Sequence, residues 1–144
     1  MNCVLFYLIL VPDKNLEFLI IRKGSLKRLI KSAHKTFPIL HSDIYLHEKM
    51  VDIYNHSKVV LITSRFEGVP TILLESLACE TPVIASNVWG ISEVLRNDEN
   101  CLLIKDFNIK LAISKKIDVL HDQDKSSTFG RNGRNLVLLK NLKG

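Results

Sequence analysis

Apolar residues fall into short continuous runs along the chain, separated by segments in which they recur every three or four positions. Five runs have the length and the branched aliphatic content of buried strands: residues 4–11, 16–22, 58–63, 81–86 and 101–104. The run "KVVLIT" at 58–63 is almost entirely apolar, as in a strand covered on both faces. These runs predict a sheet with buried central strands.

The segments between these runs have helical spacing. Helices are predicted for residues 26–37, 47–57, 71–79, 91–96 and 108–122, and for the tail from Lys125. Gly130 and Gly133 weaken the last of these predictions, since glycine is a poor helix former. Strands that alternate with helices over short connections indicate an α/β fold. We expect one Rossmann-like, doubly wound parallel sheet with helices on both faces, and one domain over residues 1–144.

In such a sheet, ligands bind beyond the carboxyl ends of the strands. Residues 64–71 follow the strand at 58–63, and residues 87–92 follow the strand at 81–86. Both segments are therefore predicted to lie at the ligand-binding edge.

The stretch "SRFEGVPTILLESLACETPVIAS" at 64–86 carries two glutamates, Glu67 and Glu75. Glu67 lies in the turn that leaves the strand, and Glu75 falls in the second turn of the helix, with Pro70 at its first position. At about 1.5 Å per helical residue, the two carboxylates are expected on the order of 10 Å apart. That is too far for a hydrolytic carboxylate pair and suits two hydroxyl-rich groups that flank a diphosphate.

Between the glutamates lies the segment Gly68, Val69, Pro70 and Thr71, at the start of a helix. Unpaired N–H groups and the positive end of the helix dipole favour a phosphate there. Gly68 would let a ligand approach the backbone closely. The layout fits a nucleotide sugar, with the ribose at one glutamate and the hexose at the other.

Charge and cysteine content narrow the function classes. Residues 1–35 carry seven Lys/Arg against two acids, and residues 125–144 carry five against none, within a net charge of +5. These basic ends could contact phosphates or an anionic membrane surface, or be solvated helix faces. Few aromatic residues interleave with them, which argues against nucleic-acid binding. Three cysteines without a C-x-x-C spacing argue against a disulfide framework and favour a reducing, cytoplasmic location.

The eight-residue run at 4–11 is too short to span a membrane, which takes roughly 20 residues, and we interpret it as a buried strand. An amphiphilic membrane anchor is the alternative interpretation.

The segment 64–86 resembles the donor-binding domain of GT-B glycosyltransferases, and more narrowly the retaining "glycosyl transferases group 1" family with its Glu–seven–Glu motif. "YNHSKVVLIT" before it and "GISEVL" and "NDENCLLIKD" after it extend the resemblance to about residues 15–137. The chain then corresponds to the C-terminal half of a GT-B fold, with the N-terminal part truncated.

The resemblance implies a role for each matching residue. Glu75 would hydrogen-bond the ribose of a nucleotide-diphosphate sugar. Glu67 would contact the sugar hydroxyls and help stabilise the transition state, as the catalytic residue. The backbone of residues 68–71 would hold the sugar diphosphate. The implied reaction is transfer of a hexose with retention, without a metal or other cofactor, to a sugar or lipid-linked acceptor.

The chain departs from the family pattern in three respects. The acceptor domain is absent, and so is the family's basic pair, for which Arg22 and Lys23 are unsupported substitutes. Arg22, Glu80, Trp89 and Cys101 occupy positions where the family usually has glycine. For Trp89 we favour a packed side chain over one that fills the donor pocket or stacks on a base.

Two alternatives to an active enzyme follow from these departures. One is a catalytically inactive module that binds a nucleotide sugar or a protein, and the other is a truncated remnant that needs a separate acceptor-domain subunit. Activity of the isolated chain is therefore open, and so is peripheral contact with the inner membrane surface, for which the basic ends are suited.

Overall fold

The computed structural model describes residues 6–10, 17–21, 39–42, 47–64, 68–105 and 121–141. The described part is α/β. Its strands are β1 (Phe6–Leu10), β2 (Glu17–Ile21), β3 (Ile39–Ser42), β4 (Ser57–Ile62), β5 (Val83–Ser86) and β6 (Leu102–Ile104). Its helices are α1 (His47–His56), α2 (Thr71–Ala78), α3 (Trp89–Ser92) and α4 (Gln123–Asn141). The helices predicted for residues 26–37 and, but for its last two residues, 108–122 lie outside the described residues.

The strands form one sheet in the order β3-β2-β1-β4-β5-β6. β4, β5 and β6 are parallel to one another, and β2 is parallel to β3. The predicted fold class, an α/β sheet of Rossmann type, is thus confirmed, with one exception in strand direction. β1 is antiparallel to both of its neighbours, β2 and β4.

The reversal of β1 has a steric cause. Only residues 11–16 separate β1 from β2 in the chain. A parallel pair needs a crossover of a dozen residues or more, whereas a short connection can join only antiparallel neighbours. The apolar pattern correctly predicted β1 as a strand, but that pattern is the same for either direction.

β3 was not predicted from the sequence. Its four residues, "ILHS", include two polar ones and fall below the length that a periodic pattern needs. β3 pairs only with β2, at one edge of the sheet. An edge strand needs fewer apolar residues than a central strand, so its sequence signal is weak.

The core lies between the central strands and the helices packed on them. Val59 through Ile62 of β4 are at most 2% exposed, as expected for a strand covered on both faces. Leu73 and Leu77 of α2 are fully buried against this layer, together with Tyr54 of α1. This packing fixes α1 and α2 relative to the end of β4.

α2 ends in a Schellman motif. The N–H of Thr81 donates to the Ser76 carbonyl (2.9 Å), and the N–H of Glu80 donates to the Leu77 carbonyl (3.0 Å). Glu80 takes the left-handed conformation, with φ of 59°. Glycine is the residue most often found at this position of a Schellman motif, because it has no Cβ to strain the left-handed conformation that Glu80 takes here.

α4 packs against the end of α2 through two buried glycines. A Cβ on Gly130 would lie 2.2 Å from the Glu80 carbonyl oxygen, and one on Gly133 would lie 2.6 Å from Cδ2 of Leu77. Arg134 of the same helix pairs with the Glu80 carboxylate at 3.0 Å. The glycines that weakened the helix prediction are thus needed for close packing of the helix.

Gly130→Ala is expected to destabilise the protein, although alanine ordinarily stabilises a helix by about 0.8–1.0 kcal/mol over glycine. The added methyl would collide with backbone, and such overpacking costs roughly 1–3 kcal/mol. Gly133→Ala is the matched control, because the Leu77 methyl can move aside. Urea unfolding should show the larger loss for Gly130→Ala, and equal or reversed effects would contradict this packing.

Glu80→Gly is expected to stabilise the protein by about 1 kcal/mol. It removes a left-handed non-glycine residue, which costs roughly 1–2 kcal/mol, and loses an exposed ion pair that contributes about 0–1 kcal/mol. Glu80→Ala loses the same pair and keeps the strain, so it should be the less stable of the two variants. The two variants are compared by their thermal unfolding midpoints. A higher midpoint for Glu80→Ala than for Glu80→Gly would contradict the predicted strain.

Candidate functional site

The carboxyl ends of β4, β5 and β6 meet at one edge of the sheet because these strands are parallel. The chain leaves β4 through Thr63 and Ser64 and leaves β5 through Asn87, whose N–H donates to the Ile104 carbonyl at the end of β6 (2.9 Å). This is the edge at which the sequence predicts a ligand.

The predicted segment 68–71 forms the entrance to α2 at this edge. Gly68, Val69 and Thr71 are exposed, and a Cβ on Gly68 would meet no atom within 4 Å. The helix begins at Thr71, so Pro70 is its N-cap and not its first residue as predicted. The extended ψ of Pro70, 137°, keeps it outside the helix, while its carbonyl accepts the Leu73 N–H (3.0 Å).

No side-chain hydrogen bond caps α2 at Pro70, because proline has no polar side-chain atom. The Pro70 carbonyl accepts the Leu73 N–H, but the other N–H groups at the start of the helix receive no acceptor from the cap residue. An added Cβ at nearby Gly68 would meet no atom within 4 Å, and an anionic group could approach the helix start there.

Glu75 lies in the second turn of α2, about 6 Å along the axis from Thr71. Its side chain is partly exposed, and its Oε2 accepts a hydrogen bond from the Tyr54 hydroxyl at 2.8 Å. Tyr54 lies in the last turn of α1 and is only 1% exposed. The other predicted carboxylate, Glu67, lies outside the described residues, so the separation of the two glutamates stays a prediction.

Burial raises the pKa of the Tyr54 phenol well above its ordinary value, and its hydrogen bond to Glu75 and the charge of Glu75 raise it further. The phenol is therefore a neutral donor throughout the physiological pH range.

Burial also raises the pKa of the Cys79 thiol. The charge of Glu75 raises this pKa further, and the charge of Arg134 lowers it. This direction favours the protonated thiol over the thiolate.

Sequence reasoning did not single out Tyr54, which it placed on the apolar face of a short helix. A signal was present, however. A buried tyrosine hydroxyl needs a hydrogen-bond partner, and Tyr54 stands directly before the strand that leads into the two-glutamate segment. Ser64 follows a strand but lacks the G-x-S-x-G motif of a hydrolase nucleophile; it is 2% exposed, and its Oγ has no hydrogen-bond partner among the described residues.

Trp89 is 71% exposed, so the favoured prediction that its side chain is packed is wrong. α3 buries Gly90 and Ile91 and leaves its first residue in solvent. Trp89 therefore presents an aromatic surface at the carboxyl edge, near the end of β5.

Two surface concavities lined by described residues lie away from this edge. One, of about 480 Å³, is lined by Asp98, Lys125 and Phe129. The other lies beside Glu80 and Arg131. Both adjoin the amino ends of β5 and β6.

In the described part of the chain, no cluster of three or more His, Cys, Asp or Glu could hold a metal ion, and no helix is long and apolar enough to cross a membrane.

The sequence pattern of the family described as "Glycosyl transferases group 1" matches residues 5–136. The chain belongs to this family. The match begins ten residues earlier than the resemblance indicated, so it includes β1.

Two curated relatives illustrate the match. The capsular polysaccharide biosynthesis glycosyltransferase CapM of Staphylococcus aureus is 27% identical over 136 residues, which are 92% of this chain and 36% of CapM. An α-1,4-N-acetyl-D-galactosaminyltransferase of Campylobacter jejuni, named for a diphosphoundecaprenol-linked acceptor, is 30% identical over 78% of this chain and 33% of its own length. The chain thus spans about a third of these relatives.

Solved structures agree with this fold. Staphylococcus aureus TarM, in a complex that contains UDP, superposes with a TM-score of 0.74 at 22% identity over 86% of this chain and 26% of TarM. The C-terminal domain of the group 1 glycosyl transferase LpcC of Francisella tularensis gives a TM-score of 0.63 at 25% identity, over 80% of this chain and 60% of that domain. The chain therefore has the fold of one half of a GT-B glycosyltransferase.

The stability of the protein is expected to fall with rising pH above about 10, and Tyr54 should contribute to that fall. The pKa of Tyr54 is raised in the folded state, so the unfolded chain loses the phenolic proton at a lower pH than the folded chain. Above that pH, the free energy of unfolding falls by up to about 1.4 kcal/mol per pH unit. Below pH 10 this contribution is constant. Urea unfolding at pH 9, 10 and 11 should give a shallower decline for Tyr54→Phe, and equal slopes for the two proteins would contradict the assignment.

Proposed function

We propose that the chain is the donor-binding half of a retaining hexosyltransferase, with Glu75 holding the ribose of a nucleotide-diphosphate sugar. The observation that supports this most directly is the geometry of α2. A carboxylate held by a buried tyrosine lies one turn beyond a helix start that has no side-chain cap and opens onto Gly68. Carboxylates bind vicinal hydroxyls, and free helix N–H groups bind phosphate.

In this proposal the diphosphate lies at Gly68, Val69, Pro70 and Thr71. Their exposure leaves room for a ligand, and the helix dipole favours its negative charge. Glu67, which directly precedes Gly68 in the sequence, would contact the hexose hydroxyls and stabilise positive charge that develops at the anomeric carbon. The helix start then assists the departing diphosphate electrostatically, and no metal ion is required.

We further propose that the acceptor is a sugar or a lipid-linked sugar, and that a separate acceptor domain binds it. The undecaprenol-linked acceptor in the name of the Campylobacter relative supports the lipid-linked choice. The exposed cations of α4, which include Lys125, Arg131 and Lys140, would suit contact with an anionic membrane surface from the cytoplasmic side.

A second candidate is a binding module without transferase activity of its own. Trp89, exposed at the carboxyl edge in place of the family's usual glycine, favours it, because a large aromatic there could contact a partner protein as readily as a nucleobase. Sugar transfer by the purified chain from a nucleotide donor, with no added protein, would exclude this candidate.

Calorimetric titration with UDP, GDP and their hexose conjugates is expected to show binding at micromolar to millimolar level for one base. Glu75→Ala should weaken that binding by about tenfold to a hundredfold, since a hydrogen bond to a charged group contributes roughly 1.5–3 kcal/mol. Glu48→Ala is the matched control, because Glu48 is exposed in the first turn of α1. Equal affinities for the two variants would contradict the ribose assignment.

A further inference from the structure

Tyr54 combines a buried ring with a hydroxyl that reaches the candidate site. The ring belongs to the core cluster with Leu73 and Leu77, and its hydroxyl donates to Oε2 of Glu75 at 2.8 Å. Phenylalanine would fill the same core volume without burying a polar atom. Since a buried hydroxyl is costly unless it is hydrogen-bonded, the bond to Glu75 is what makes tyrosine suitable here.

The position of Tyr54 is fixed independently of Glu75. Its carbonyl accepts the Thr81 hydroxyl at 2.9 Å, and Thr81 is itself 3% exposed and bonded to Ser76 at the end of α2. The loop after α2 therefore returns to the end of α1 and fixes the backbone of Tyr54. The tyrosine is the buried and fixed member of the pair, and the glutamate is the partly exposed one.

We propose that Tyr54 is a positioning residue, whose buried hydroxyl orients the Glu75 carboxylate for the ribose hydroxyls of the donor nucleotide. This inference rests on the proposed function of Glu75 and adds the group that prepares it. A glutamate side chain loses rotamer freedom when it binds a ligand, and a hydrogen bond already made in the free protein reduces that loss.

The inference differs from a purely structural role in what it predicts for the ligand. A hydrogen bond that only stabilised the packing of α1 on α2 would affect every nucleotide alike. A hydrogen bond that orients Glu75 affects only nucleotides with ribose hydroxyls. Thus 2′,3′-dideoxynucleoside diphosphates separate the two roles.

The test compares Tyr54→Phe with the unmutated chain, using the nucleoside diphosphate, UDP or GDP, that the unmutated chain binds and its 2′,3′-dideoxy analogue. Tyr54→Phe should weaken binding of the ribonucleotide by about fivefold to thirtyfold and leave binding of the dideoxy analogue unchanged. Ser57→Ala is the matched control, since it removes one hydroxyl at the first residue of β4, next to α1, that bonds only to the Ile53 carbonyl among the described residues (2.6 Å). Its affinities should not change.

Each other outcome contradicts a specific statement. Equal weakening of both nucleotides by Tyr54→Phe would overturn the positioning role, as would no weakening of either. If Glu75→Ala weakens binding and Tyr54→Phe does not, only this inference fails. If the unmutated chain binds no nucleoside diphosphate, the proposed function fails, and this inference with it.

Two further measurements do not depend on the size of a single effect. In a Glu75→Ala background, Tyr54→Phe should cause no additional loss of affinity, because the group that it positions is gone. In the ligand-free protein, the side-chain carboxyl ¹³C resonance of Glu75 should shift when Tyr54 is changed to phenylalanine. Additive losses, or an unchanged resonance, would overturn the proposal.

Discussion

The hydrogen bond from Tyr54 to Glu75 links the buried core to the edge where a donor would bind. On one side of it, α1 is anchored by the Thr81 hydroxyl and by packing against β4 and α2. On the other side, a carboxylate that is partly open to solvent is held in one direction. The chemistry proposed for the edge therefore depends on contacts made inside the protein, where few substitutions are tolerated.

The end of α2 carries a second constraint. The Schellman motif requires a left-handed residue, and Glu80 takes that conformation although it has a side chain. Its carbonyl lies against Gly130 of α4, and its carboxylate pairs with Arg134. Glu80 thus combines a backbone conformation that glycine favours with a side chain that bonds α4. Trp89 places an exposed aromatic side chain at the ligand edge itself.

Much of the fold could be predicted from the sequence because its signals are local. β4, α2 and β5 follow from continuous or periodic apolar runs, and the position of Glu75 in α2 follows from helix geometry. The direction of β1 and the presence of β3 could not be predicted, because both depend on which strands become neighbours. Tyr54 was missed for a related reason, since its partner lies 21 residues away. The exposure of Trp89 depends on which residues of α3 face the core.

The most direct test of this account is an amide NMR titration of the ¹⁵N-labelled chain with UDP and with GDP. We expect one nucleotide to shift the resonances of Gly68, Val69, Thr71 and Glu75 together, since they belong to one helix start and its second turn. Resonances around Asp98 and Phe129, which line the concavity at the opposite edge, should stay unchanged. Shifts confined to that concavity, or none with either nucleotide, would contradict a donor site on α2.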